Sequence, residues 1–86
     1  MHKIWCDKAW DDYLSWQTED KKTLKRINQL IRDIERTGDF GIGKPEILHG
    51  NLSGFRSRRI NETDRLVYRI SKDTLEIASC KGHYDA

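Results

Sequence analysis

The sequence is short of the features that mark membrane-spanning helices, disulfide frameworks and several common classes of enzyme. No apolar run approaches the roughly 20 residues that a membrane-spanning helix needs. Met1 to Trp10 lacks the hydrophobic stretch of a signal peptide, so the chain reads as cytoplasmic with no membrane partner. There are two cysteines, Cys6 and Cys80, far apart and outside any C-x-x-C motif. That argues against a disulfide framework and points to buried, reduced thiols. His2, His49 and His83 have no metal-ligand spacing with these cysteines, and no metal or cofactor is expected. The stretch from Gly38 to Lys44 lacks the G-x-x-x-x-G-K-[ST] frame that cradles nucleotide phosphates. No serine or cysteine sits beside a histidine in a known nucleophile signature. Repeats, low-complexity tracts and linkers are also missing, and 86 residues have room for one domain, 1–86.

What is present begins with hydrophobic periodicity. His2 to Trp5 reads as a short strand. Asp7 is expected to cap a helix running to about Gln17, with Trp10, Tyr13, Leu14 and Gln17 on one face. Thr18 to Lys22 is polar and is expected to turn the chain. A second helix is predicted from about Asp20 to Arg36, its apolar stripe made by Leu24, Ile27, Leu30, Ile31 and Ile34. Arg36 suits its last turn, and Gly38 suits the stop. Thr37 to Asn51 holds four glycines and the single proline, Pro45, and reads as a loop of the length that often carries function. From Ser53 the period changes to two, giving three strands with turns at Asn61–Asp64 and Ser71–Asp73. The predicted order is β-α-α-β-β-β, an α+β domain with a two-helix hairpin on the apolar face of the sheet and arginines on the other.

Charge is nearly balanced overall, at +2, but unevenly placed. Between Phe55 and Lys72 stand Arg56, Arg58, Arg59, Arg65, Arg69 and Lys72 against only Glu62 and Asp64, a local excess of four. Arginine suits bidentate contact with phosphate, although charged outer positions on a solvated strand pair give the same composition. Metal-independent cleavage of RNA needs a base for the ribose 2′-hydroxyl, an acid for the departing 5′-oxygen and a cation for the phosphorane. Glu46, in the Gly/Pro loop, is a candidate base or an ordinary solvated glutamate. Arg65, at the start of a strand, is a candidate phosphate clamp or a partner for Glu62 or Asp64. His83 supplies an imidazole, the side chain whose ordinary chemistry suits it to donate a proton. Tyr84 can stack on a base or bond a phosphate. Terminal residues usually fray, but here a strand leads almost up to them.

The run I-W-x-x-x-x-W-D-D-Y from Ile4 to Tyr13, G-K-P-E from Gly43 to Glu46 and N-L-S-G-F from Asn51 to Phe55 together resemble the YoeB toxins of the RelE/ParE superfamily. So do S-R-R-I from Ser57 to Ile60, R-L-V-Y from Arg65 to Tyr68 and C-K-G-H-Y from Cys80 to Tyr84. The resemblance covers nearly the whole chain and rests on the order and spacing of these pieces. It implies the microbial-ribonuclease-like fold and a type II toxin that enters the ribosomal A site and cuts messenger RNA by 2′-hydroxyl attack without metal. It implies Glu46 as general base, His83 as general acid, Arg65 as phosphate stabiliser and Tyr84 as a substrate-holding residue. His49, Arg56, Arg58, Arg59 and Arg69 are expected to contact RNA or the ribosome. A homodimer and a YefM-like antitoxin are the implied partners. The family commonly carries a lysine where this chain has His49, which replaces a fixed cation by a mostly neutral imidazole. Two other activities fit the same fold: a ParE-like inhibitor of DNA gyrase, and an RNA-binding module without chemistry. Neither needs an acid, a base and a phosphate clamp together.

Overall fold

The computed structural model describes residues 1–83. Strand β1 (His2–Trp5) is followed by helices α1 (Asp7–Glu19) and α2 (Lys21–Thr37), then by β2 (Glu46–Ile47), β3 (Arg56–Arg59), β4 (Arg65–Ser71) and β5 (Thr74–Ser79). The sheet order is β1-β5-β4-β3-β2. β1 pairs parallel with β5, and the remaining neighbours are antiparallel. This is the expected α+β fold with one addition. The glycine-rich segment predicted to be all loop contributes a two-residue edge strand, β2, which carries Glu46.

Helix α2 forms where its sequence signals lie. Asp20 accepts from the N–H groups of Lys22 (3.0 Å) and Thr23 (3.4 Å), two donors that the first helical turn leaves open. Gly38, at φ +68, ends the helix with its N–H on the Ile34 carbonyl (2.8 Å). Ile27, Leu30, Ile31 and Ile34 are buried against Leu66, Tyr68, Leu75 and Ile77 of the sheet. The predicted polar turn over 18–22 shrinks to Asp20 alone. Its N–H closes α1 on the Trp16 carbonyl (3.0 Å) while its carboxylate opens α2.

Helix α1 departs from expectation in two ways. Cys6, not Asp7, occupies the N-cap position, because its N–H is held by the Ile77 carbonyl (3.1 Å) and its backbone stays extended. Asp7 becomes a first-turn acid, favourable at the positive end of the helix dipole. The buried face is Ala9, Asp12 and Trp16, whereas Trp10 and Leu14 are 45% and 43% exposed. Asp12 accepts from the Cys80 N–H (3.0 Å) and the Trp16 indole donates to the Cys80 carbonyl (2.9 Å), which turns the helix about its axis from the purely apolar arrangement. Cys80 is buried as expected, and burial first, then the nearby Asp12 charge, pushes its thiol up to about 12. Cys6 is only half-buried, with its thiol donating to the Ala78 carbonyl (2.9 Å).

Pairing register sorts the arginines between the two sheet faces. Arg58 lies opposite Leu66 and Arg56 opposite Tyr68, on the face that meets the helices. Arg59 lies opposite Arg65, and Ser57 opposite both Glu46 and Val67, on the face away from the helices. Arg69 shares that open face with its partner Glu76.

Candidate active site

The site is supported from beneath by an arginine. Arg58 is fully buried, which corrects its expected place on an RNA-contacting surface. Its guanidinium bonds Asp33 (2.5 Å), the carbonyls of Gly38 (2.6 Å), Phe40 (2.9 Å) and Ile42 (3.1 Å), and the Tyr68 hydroxyl (3.2 Å). A buried cation is tolerable when each N–H finds an acceptor, and the chain leaving α2 wraps around Arg58 to supply them. Asp33 also accepts from Arg36 (2.8 Å) and the Ile42 N–H (3.0 Å). The hydrogen bonds from Arg36 and Arg58 hold its carboxyl well below the usual carboxylate range. The folded loop delivers Gly43, whose carbonyl accepts from the Arg59 N–H (2.6 Å), and then the short strand β2. Gly43 (φ +85) has no room for a side chain: a Cβ would lie 2.8 Å from Leu30.

On the open face Glu46 and Arg65 meet. The carboxylate of Glu46 stands 3.7 Å from the Arg65 guanidinium, with the Glu46 side chain half exposed and Arg65 19% exposed. Arg59 and Arg65 are direct cross-strand partners. Two like charges opposite one another destabilise a bare sheet, and here the Glu46 carboxylate lies beside the pair. Arg65 is also tied to the chain end. Its N–H donates to the Gly82 carbonyl (3.0 Å), which sets His83 next to a residue bonded to the Arg65 backbone. His83 is exposed. Ser57, across from Glu46, is fully buried with its hydroxyl unpartnered among the described residues.

The other predicted positions divide. Arg56 is paired with Asp39 (2.5 Å) at the edge of the helix-facing side. Arg69 is on the open face but is neutralised by Glu76 (2.6 Å), and its guanidinium lies 4.7 Å from the centre of the Phe55 ring. His49 is exposed, just before the 3₁₀ turn Gly50–Leu52. Tyr84 lies outside the described residues. Among the described residues, no three His, Cys, Asp or Glu side chains gather as a metal site, and no helix is long and apolar enough to cross a membrane.

Periodicity did not reveal the groups that hold the strand end: Asp12, Trp16 and Asp64. Asp64 accepts from the Gly82 N–H (2.7 Å). Burial raises its carboxyl, but the Gly82 N–H and the Asn61 and Thr63 side chains outweigh this and leave it below its ordinary value. The only sequence signal was the polar turn Asn61–Asp64, which reads the same whether or not a distant backbone docks on it.

The model of the YoeB-like toxins of bacterial type II toxin-antitoxin systems matches residues 5–84. The Toxin YoeB of Escherichia coli (strain K12) is 56% identical over 84 residues, covering 98% of this chain and all of that protein. A YoeB/ParE toxin from Agrobacterium tumefaciens superposes with a TM-score of 0.95 at 44% identity, covering 98% of this chain and 100% of that one. The Staphylococcus aureus YoeB, solved as a dimer, superposes at 0.92 with 47% identity and 98% coverage of both chains. The same toxin has been solved in a heterotetrameric complex with YefM, at a TM-score of 0.91, 47% identity and 98% coverage of both chains.

Proposed function

The chain belongs to the YoeB-like toxins of bacterial type II toxin-antitoxin systems, and from that premise we propose that it is a single-domain, metal-independent endoribonuclease that cuts messenger RNA in the ribosomal A site. The observation that carries the reading is the convergence on Arg65. Glu46 is 3.7 Å from its guanidinium, Arg59 faces it across the strands, and its own N–H holds the residue before His83.

In this reading Glu46 takes the proton of the ribose 2′-hydroxyl, and the freed oxygen attacks the adjacent phosphorus. Arg65, with Arg59 beside it, stabilises the charge that builds on the phosphorane oxygens. His83 gives a proton to the departing 5′-oxygen, leaving a 5′-hydroxyl and a 2′,3′-cyclic phosphate that water then opens. Tyr84 helps to hold the substrate. His49 contributes hydrogen bonding to RNA. The half-exposed Glu46–Arg65 contact is loose enough for a phosphate to displace it. Arg58 supports the site from within instead of touching RNA, while Arg56, part-exposed at the sheet edge, is a proposed RNA contact. A YefM-like antitoxin and a second copy of the chain are the proposed protein partners, as in the Staphylococcus aureus relatives.

Primer extension on messenger bound to translating ribosomes, with EDTA controls, tests the assignment. Glu46→Ala and His83→Gln each reduce cleavage at least about 100-fold while keeping the parental fold, in line with the usual worth of general acid–base groups. Arg65→Ala costs more than Arg69→Ala, because Arg69 is already neutralised by Glu76. Undiminished cutting by both the Glu46 and His83 variants would defeat the role assignment. Equal losses at Arg65 and Arg69 would replace a placed clamp by diffuse attraction. An absence of cleavage by the parent protein, with binding that weakens as salt rises, would favour a plain RNA-binding module.

A further inference from the structure

Strand β5 stops at Ser79, and the three residues between it and His83 are held by hydrogen bonds that no strand ladder requires. The Cys80 N–H donates to Asp12 (3.0 Å), and the Cys80 carbonyl accepts from the Trp16 indole (2.9 Å). The Lys81 carbonyl accepts from Lys8 Nζ (3.4 Å). At Gly82 both backbone groups are taken by adjacent residues at the end of one turn. Its N–H donates to Asp64 Oδ1 (2.7 Å), and its carbonyl accepts from the Arg65 N–H (3.0 Å).

The turn that offers Asp64 is itself fixed. Asn61 Oδ1 accepts from the N–H groups of Thr63 (2.9 Å) and Asp64 (2.8 Å), and the Thr63 hydroxyl donates to the second oxygen of Asp64 (3.1 Å). Gly82 sits at φ +84, where a side chain would be strained even though the space around it is open. A charge-assisted bond of 2.7 Å onto a backbone amide is stronger than a neutral one. A side chain that works beyond the last rung of a strand ladder needs such an anchor to keep one position.

We propose that Asp64 and the Arg65 backbone form a two-point latch on Gly82 that holds His83 in fixed relation to Arg65, making Asp64 a positioning residue for the proton donor. The role rests on the nuclease reading above. The latch couples donor and clamp directly: whatever places Arg65 on a phosphate also places the backbone that carries His83. Positioning matters because a misplacement of about 1 Å in a reacting group can cost on the order of 100-fold in rate.

The test uses the full chain on ribosome-bound messengers with either an ordinary scissile linkage or one whose 5′-bridging oxygen is sulfur. A thiolate leaves without a proton, so a defect that acts through the acid disappears on the sulfur linkage. Asp64→Ala is expected to slow the ordinary linkage roughly 10- to 100-fold and to leave the sulfur linkage near the parental rate. Amide exchange at Gly82 should quicken in the same variant. Asp64→Asn keeps an oxygen for the Gly82 N–H and should recover most of the rate and of the amide protection. Parental cutting by Asp64→Ala, or an equal loss on both linkages, overturns the latch. His83→Gln, run in parallel, separates the two claims. If it cuts the ordinary linkage at the parental rate, the acid role of His83 falls and the positioning role falls with it. If it loses activity while Asp64→Ala does not, only the latch falls.

Discussion

Arg58 and Arg65 are the same residue type seven positions apart, and their surroundings give them opposite work. Arg58 is enclosed, with a carboxylate, three carbonyls and a phenol around its guanidinium. Arg65 reaches the open face beside a half-exposed glutamate. Strand parity decides between them, since Arg58 stands opposite the core residue Leu66. The sequence held a hint: Ile60 shares the parity of Arg58, and a strand face ending in isoleucine is a poor place for solvated arginines. Removing the buried cation takes one of its donors from Asp33 and the guanidinium from the Gly38, Phe40 and Ile42 carbonyls. Arg58→Ala is therefore expected to destabilise the protein by about 3–5 kcal/mol, lowering the thermal midpoint by more than about 10 °C. Arg58→Lys should recover only part of this, because an ammonium cannot span the same fork of acceptors. A midpoint within two degrees of the parent for Arg58→Ala, read by circular dichroism, would show that the enclosure contributes nothing.

Among the elements, the loop between α2 and β2 is the one whose shape the site depends on. Its turns are taken by Gly38, Gly41 and Gly43, all at positive φ, and by Lys44 at φ 52. Gly43 is pinned between Leu30 and the strand that carries Arg58 and Arg59, two positions before Pro45 leads into Glu46. Gly54 also has positive φ, at +91, but nothing lies within 4 Å of a Cβ there. The pair separates strain from crowding. Gly54→Ala should cost only its conformational term, about 1–2 kcal/mol. Gly43→Ala carries the same term plus a clash, so it should melt lower and also cut messenger more slowly, because the carboxylate moves with the loop. Equal melting points for the two variants would mean that the close approach at Gly43 relaxes without consequence. Helix α1 shows a different dependence on context: its buried face includes Asp12 because a strand end outside the ladder needs an acceptor for the Cys80 N–H.

For the whole molecule, acid should be the sharpest stress. Asp33, Asp20 and Asp64 all have folded-state values below their ordinary ones. With folded values lowered, the unfolded chain binds more protons in the window beneath about pH 4, near the ordinary aspartate value. Stability is then fully present above that window and falls as pH drops through it. Urea unfolding at pH 3 is expected to show a lower midpoint than at pH 6. In Asp33→Asn the gap should narrow, since that carboxylate no longer titrates. A parental midpoint equal at the two values would contradict the linkage.

The sequence by itself determined the α+β class, the α2 boundaries and its glycine stop, the three main strands and the family, because these rest on local periodicity, helix-stop chemistry and motif spacing that adjacent residues state for themselves. Tertiary structure alone decided which arginines lie on the open sheet face and which are walled in, that Glu46 stands on an edge strand, which side of α1 is buried, and that Asp64 grips the backbone before His83. Each of those outcomes depends on what lies across a strand pair or at the far end of the chain, where partners many residues away supply the missing donor, acceptor or volume, and no local window contains them.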